Sequence, residues 1–379
     1  MLQRTVYEQE HDMFRDAVRG FFAREMTPHH DAWEKEGCVP RDFWRKAGEQ
    51  GLLCPQVPEE YGGPGGDYRY LAVVDEELGM AGASGPGFTV HSDICAGYLL
   101  SYGSEDQKRE WLPKMVSGEA IFAVAMTEPN TGSDLQGVKT TALMDGNQYV
   151  INGSKTFISN GQNADVIIVV AKTDPSQGAK GISLIMVEAD RDGFRRGRNL
   201  DKMGMHAADT SELFFDDVRV PTSNLLGPEE GKGFAQLMTE LPQERLSIAL
   251  NAQAAAQYAY DLTVDYVKER KAFGSPVFDF QNTRFKLAEL KTELAVGWAF
   301  CDQCIEHHLR GELSSADASM AKLWVTEMLG RVVDEGVQLH GGYGYMNEYP
   351  IARLYTDSRV QRIYGGTSEI MKELISRDV

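Results

Sequence analysis

A chain of 379 residues is longer than one hydrophobic core usually supports, so two or three domains are expected. Its 42% hydrophobic and 25% charged residues are the composition of a soluble globular protein. The 38 basic against 56 acidic side chains leave a net charge of -18, which repels phosphate backbones and anionic headgroups and argues against nucleic acid as a partner.

The opening MLQRTVYEQEHDMFRDAV mixes charges of both signs, and no uninterrupted apolar run is long enough to span a bilayer. Neither a signal nor a transit peptide is expected. Five cysteines, odd in number and irregular in spacing, do not make a disulfide framework, and a reducing cytoplasm is the expected location.

Up to Glu119 the pattern is helical. Met13, Phe14, Val18, Phe21 and Phe22 recur at three- and four-residue spacing, and Pro40-Arg41-Asp42 and Ser104-Glu105-Asp106 are helix starts. Gly62-Gly63-Pro64-Gly65-Gly66 is a loop between helices, and no strand precedes it as a dinucleotide fingerprint requires. From Ala120 to Pro221 the period turns strand-like, with turn pairs at Asp145-Gly146 and Asn152-Gly153 and short apolar runs such as ADVIIVVAK and GISLIMVEA. A compact β-sandwich or barrel is expected there. After Gly227 long helical patterns return, one holding Pro242 in its first third, and suggest a four-helix bundle. The expected division is 1–119, 120–227 and 228–379, an α+β multidomain chain without internal repeat.

Cys301 and Cys304, followed by His307 and His308, share a helix face and could approach a metal. No second ligand pair matches their spacing, and the surrounding Leu, Val, Trp and Phe favour a packed core helix. In AMTEPNTGSD, Ala125 to Asp134, the hydroxyls of Thr127, Thr131 and Ser133 alternate with Pro129, Asn130 and Gly132, so backbone and side chains can converge on a polar ligand; an ordinary polar turn is equally compatible. KTFISNGQNAD sets the Phe157 ring beside the Ser159 hydroxyl, which suits a flat heteroaromatic ligand but also an ordinary strand edge.

AMTEPNTGSD, SKTFISNG, ERKAFG (269–274), QLHGGYGY (338–345) and IYGGTSEIMKELI (363–375), in this order, resemble the acyl-CoA dehydrogenase family over nearly the whole chain. The resemblance implies a helical N-terminal domain, a central β domain and a C-terminal bundle, with non-covalent FAD extended between domains and subunits of a homotetramer. It implies that Val124, Ala125, Met126, Thr127 and on to Ser133 wrap the flavin ring and ribityl chain, and that Phe157, Ile158 and Ser159 cover its other face. Arg270, Phe273, Gln281, Gln338, Leu339, His340, Gly341 and Gly342 would hold the diphosphate and adenosine, largely of a neighbouring subunit. Thr367, Ser368 and Glu369 would complete the site. A guanidinium fork suits a diphosphate, and the paired glycines allow close backbone approach.

The implied reaction converts an acyl-CoA thioester to its trans-2-enoyl product by α-proton abstraction and β-hydride transfer to flavin. Many members carry the base directly after the tyrosine of the last motif, where this chain has Tyr364 followed by Gly365. A second lineage, the long-chain and isovaleryl-CoA dehydrogenases, carries it on the first long C-terminal helix, where TELPQERLSIA offers Glu244, with Arg245 to steady it; Glu240 lies on nearly the same face. The Gly365 N–H would serve the thioester carbonyl, Ser133 the thioester or pantetheine end, and Gly365 and Gly366 the acyl pocket beside Tyr364. Resemblance favours medium- to long-chain acyl-CoA, with electron transferring flavoprotein as acceptor. A branched short-chain dehydrogenase, an acyl-CoA oxidase, a flavin monooxygenase and a non-catalytic acyl-CoA or FAD scaffold are the alternatives.

Overall fold

A computed structural model describes residues 3–379 of the chain. Helices α1 (Gln9–Phe21), α2 (His30–Glu36), α3 (Arg41–Glu49), α4 (Tyr68–Met80), α5 (Ala96–Tyr102) and α6 (Glu105–Val116) precede the strands. The two expected starts hold: α3 follows Pro40, and Ser104 caps α6 through a capping box with Gln107. A π-helical stretch, Thr89–Cys95, leads into α5. Buried Glu76 and Glu77 of α4 receive Arg4, Arg15 and Arg19, which bind the N-terminal segment and α1 to the centre of the molecule.

Strands β1 (Phe122–Ala125), β2 (Thr141–Asp145), β3 (Gln148–Ser159), β4 (Val166–Lys172), β5 (Ile182–Glu188), β6 (Phe194–Asn199) and β7 (Thr210–Pro221) join one seven-stranded sheet. The strands run β1-β4-β2-β3-β7-β6 with β5 also paired to β4, so the expected sandwich or barrel is one sheet and not two separately paired ones. The apolar run of β4 is buried on both faces, between parallel β1 and antiparallel β5, whereas β3 and β7 alternate as half-buried strands do. Asp145-Gly146 opens the β2–β3 hairpin as expected. Asn152-Gly153 does not end a strand: it lies inside β3, where pairing with β7 shifts register and Gly153 takes φ 153° against Thr140. A bulge and a turn share the same Asn-Gly chemistry, so the pair alone could not separate them.

The C-terminal helices are α7 (Gly233–Glu269), α8 (Gln281–Leu309), α9 (Ser315–His340), α10 (Pro350–Ser358) and α11 (Ser368–Ser376). The first three are long; two short helices stand in the fourth place of the expected bundle. Helix α7 runs unbroken through Pro242 and packs its Ala-rich middle against α4, where a Cβ on Gly79 would lie 2.5 Å from the Asn251 carbonyl. Cys301 and Cys304 are buried with Leu294, Ile305 and Val325, which is the packed-helix arrangement. No helix among the described residues is long and apolar enough to cross a membrane.

Candidate active site

The side chain of Glu244 projects from α7 into the seam with α5 and is 4% exposed. Its Oε1 accepts a 2.7 Å hydrogen bond from the Tyr98 hydroxyl, and Oε2 has no partner within the chain among the described residues. Burial pushes the carboxyl up to about 7, against the lowering effects of the Tyr98 hydrogen bond and the Arg245 charge; the Glu240 and Asp93 carboxyls add to the rise. Tyr98 itself, fully enclosed, titrates far above the ordinary phenol range and stays a donor.

One turn along α7, Ile248 meets the turn that joins α10 to α11. Gly365 has φ +62°, and a Cβ there would lie 2.4 Å from Ile248 Cδ1. Both the backbone conformation and the space require glycine. Gly366, at φ +98°, has Met371 Cε at 2.6 Å from the same hypothetical atom, and its carbonyl accepts from the buried Lys322 ammonium at 2.5 Å. The Gly365 N–H donates to no acceptor within the chain among the described residues. Burial and the Arg245 charge bring Lys322 down to about 8.

Glu240 lies two turns from Ile248, a rise of about 12 Å, and burial raises its carboxyl, with Ser101 and Tyr102 of α5 opposing the rise. The helix rise therefore separates the two candidates, with Glu244 nearer the Gly365 turn. Arg245 does not bond Glu244. Its Nη1 donates to Ser315 Oγ at 3.3 Å, and the fixed partner of the carboxyl is Tyr98. Nothing in the sequence pairs positions 98 and 244; only the packing of α5 on α7 does.

The two motifs expected around the flavin ring meet across the sheet. Thr156 N–H donates to the Thr127 carbonyl at 2.9 Å, and buried Lys155 donates to Glu128 Oε1 and to the Met126 carbonyl. Val124 and Ala125 end β1, and Ser133 is exposed beyond the Glu128–Thr131 bridge. Phe157 is 66% exposed with φ +60°, in a register shift of β3 that turns its ring off the sheet, while Ile158 is buried and Ser159 half-buried. A bulky side chain at positive φ, held out in the open, fits a platform for a flat ring.

The third motif group stands elsewhere. Tyr266, Arg270, Gln338, Leu339, His340, Gly341, Gly342 and Tyr343 line an open cavity of about 550 Å³. Arg270 makes no ion pair among the described residues, and a Cβ on Gly341 or Gly342 would meet nothing within 4 Å. Phe273 is wholly exposed at φ +53°, and Gln281 is exposed at the start of α8. A free guanidinium beside open glycines fits a diphosphate. Arg270 follows Glu244 by 26 residues, about 39 Å along α7, so one chain does not bring the two groups to one place. His340 packs on Tyr266, and its Nδ1 lies 2.7 Å from the Gly336 carbonyl. At the last motif, Thr367 caps α11 and the Ser368 hydroxyl donates to Glu327, so both side chains hold the turn itself; Glu369 is exposed.

Family models described as acyl-CoA dehydrogenase N-terminal, middle and C-terminal domains match residues 8–119, 123–218 and 231–379. A Sus scrofa protein named long-chain specific acyl-CoA dehydrogenase, mitochondrial, is 54% identical over 378 residues, covering 99% of this chain and 88% of its own. The crystal structure of an acyl-CoA dehydrogenase from Geobacillus kaustophilus superposes with a TM-score of 0.97 at 53% identity, covering 99% of each chain. A glutaryl-CoA dehydrogenase from Mycobacterium smegmatis in complex with FADH2 gives 0.92 at 29% identity, covering 98% of this chain and 95% of that one.

Proposed function

This chain belongs to the acyl-CoA dehydrogenase family, FAD-dependent oxidoreductases acting on CH–CH groups, and from that premise we propose that it oxidises medium- to long-chain acyl-CoA thioesters with Glu244 as the base. The observation that carries the reading is the buried Glu244 carboxyl, about 7 in pKa and one turn from a Gly365 that has no room for a side chain.

A base must be unprotonated to accept the α-proton and close enough to neutrality to hold it, and burial gives Glu244 that balance. Tyr98 fixes Oε1 and leaves Oε2 to face the substrate. The unpaired Gly365 N–H donates to the thioester carbonyl, whose oxygen gains charge as the α-proton leaves; Lys322 steadies the turn through the Gly366 carbonyl. Tyr364 and Gly366 line the acyl pocket with Gly365, and Ser133 meets the thioester end. FAD, when bound, accepts the β-hydride. Thr127, Phe157 and Ser159 hold its ring, and Arg270, Phe273, Gln281 and the Gln338–Gly342 turn hold the diphosphate and adenosine of a second copy. The span of α7 between the two groups supports a second copy completing each site; a homotetramer built from such dimers is part of the same proposal. The division at 119/120 and 227/228, electron transferring flavoprotein as the acceptor and a role in fatty acid oxidation belong to the same proposal.

Anaerobic mixing with straight and branched acyl-CoAs tests the substrate. Bleaching of the flavin fastest with medium to long straight chains is expected; a preference for short branched chains would overturn the chain-length reading. Hydrogen peroxide formed in step with turnover would replace the flavoprotein acceptor by dioxygen.

A further inference from the structure

Lys155 is a cation sealed in the β domain: its side chain is 0% exposed, in β3, two residues before Phe157. Its ammonium donates three hydrogen bonds, to Glu128 Oε1 at 2.8 Å, to the Met126 carbonyl at 3.1 Å and to the Val170 carbonyl of β4 at 2.7 Å. Three donors and three acceptors leave nothing unsatisfied. Glu128 is 7% exposed, and besides Lys155 it accepts the backbone N–H of Lys139 at 2.7 Å and of Thr140 at 3.0 Å.

The bonds of this pair bracket Thr127. Lys155 grips the carbonyl before it and the side chain after it, while the neighbouring Thr156 N–H takes the Thr127 carbonyl itself. The register of β3 against β7 shifts between Lys155 and Ile158, so the same lysine sits at the root of the bulge that sends Phe157 outward. A sheet needs no buried ion pair to pair its strands, and apolar residues of equal size often hold a fold as well. An ammonium in a fixed position does supply what they cannot: a set geometry between two loops and a permanent dipole with its carboxylate.

We propose that the Lys155–Glu128 pair is a positioning device for the flavin: it fixes the Ala125–Ser133 loop and the Phe157–Ser159 platform at one separation, and so determines how tightly the ring is held and the potential at which it is reduced. Lys155 acts through Met126, Thr127 and Phe157 and touches no substrate. The proposal rests on the reading that those two segments are the flavin seat. Burial, opposed by the Glu128 charge and hydrogen bond, brings the Lys155 ammonium down to about 8.

The test compares wild type, Lys155→Met, the double variant Lys155→Met/Glu128→Gln and Thr127→Ala as purified proteins. The readouts are thermal unfolding of the FAD-free protein, the FAD dissociation constant, and the midpoint potential and visible band of the bound flavin. Lys155→Met alone leaves a buried carboxylate unpaired and is expected to unfold earlier. The double variant removes both charges and is expected to regain part of the unfolding temperature, the Met126 and Val170 carbonyls still lacking the Lys155 donor, while binding FAD about 10- to 100-fold more weakly, the worth of about one charged hydrogen bond, with a shifted potential and an altered visible band. A folded double variant with wild-type FAD affinity, potential and spectrum would overturn the proposal and leave the pair a folding element. Thr127→Ala distinguishes the two layers: if it weakens FAD binding while the double variant does not, the positioning role fails alone, and if neither does, the reading of the seat fails with it.

Discussion

Replacing Tyr98 by Phe removes one hydroxyl, the 2.7 Å donor to Glu244 Oε1, and leaves the ring in place. A hydrogen bond to a charged group contributes about 1.5–3 kcal/mol, and a pKa unit is about 1.4 kcal/mol. The carboxyl, already at about 7 through burial, is therefore expected to rise by roughly one to two further units, because only its charged form needs the lost donor. At pH 7 the unprotonated fraction would fall from about one half to between roughly a tenth and a hundredth, slowing flavin bleaching by about 5- to 50-fold. The sign is fixed: the base works unprotonated, so the lost rate returns as pH is raised. Wild-type Tyr98 stays protonated there, since its own pKa lies far above the ordinary phenol value. Anaerobic stopped-flow bleaching across pH 6–10, roughly the window set by these pKa values, reads the shift directly. A Tyr98→Phe profile that coincides with wild type, with FAD bound and the fold intact, would refute the coupling of phenol and base.

Other perturbations have equally definite outcomes. Glu244 binds its proton more tightly folded than unfolded, so its contribution to stability falls as pH rises from the ordinary carboxyl range through about 7; Glu244→Gln should melt above wild type at pH 8 by up to about 3 kcal/mol, with no difference near pH 4, and the reverse order would contradict the raised pKa. Gly365→Ala meets positive φ and Ile248 together, at about 1–2 kcal/mol for the backbone and about 1–3 kcal/mol for the overlap; thermal melts should show Ile248→Ala in the same chain recovering the second part only. For the same reason, moving the base by Gly365→Glu in a Glu244→Gly chain should give turnover only when Ile248 is also trimmed. Phe157→Gly removes a strained, 66% exposed side chain, so the FAD-free protein should melt no lower than wild type while FAD dissociates faster; a lower melting point would show that the ring serves the fold.

Helix starts, the switch to strand period and the long C-terminal helices were legible because capping residues, turn pairs and apolar spacing are local signals. Ser104 and Pro40 acted as written, whereas Asn152-Gly153, chemically identical to a hairpin turn, became a bulge because β7 pairs on both sides of it. Glu244 could be singled out because Gly365 is conspicuous for what it lacks. Its true partner could not: Tyr98 is 146 positions away, and adjacency in sequence pointed to Arg245, which helix geometry turns toward Ser315. Lys155 reads as an ordinary strand lysine until the loop at Glu128 folds over it. The Ser368 hydroxyl donates to Glu327, 41 positions away, a pairing no local pattern announces. Long-range pairing is set by packing, and no local pattern encodes it.

The most direct measurement mixes Glu244→Gln anaerobically with a medium-chain acyl-CoA and follows the flavin absorbance. With Glu244 as base, the variant keeps its FAD and assembly and shows no bleaching on the wild-type time scale. Bleaching at the wild-type rate would mean that the α-proton goes to another group.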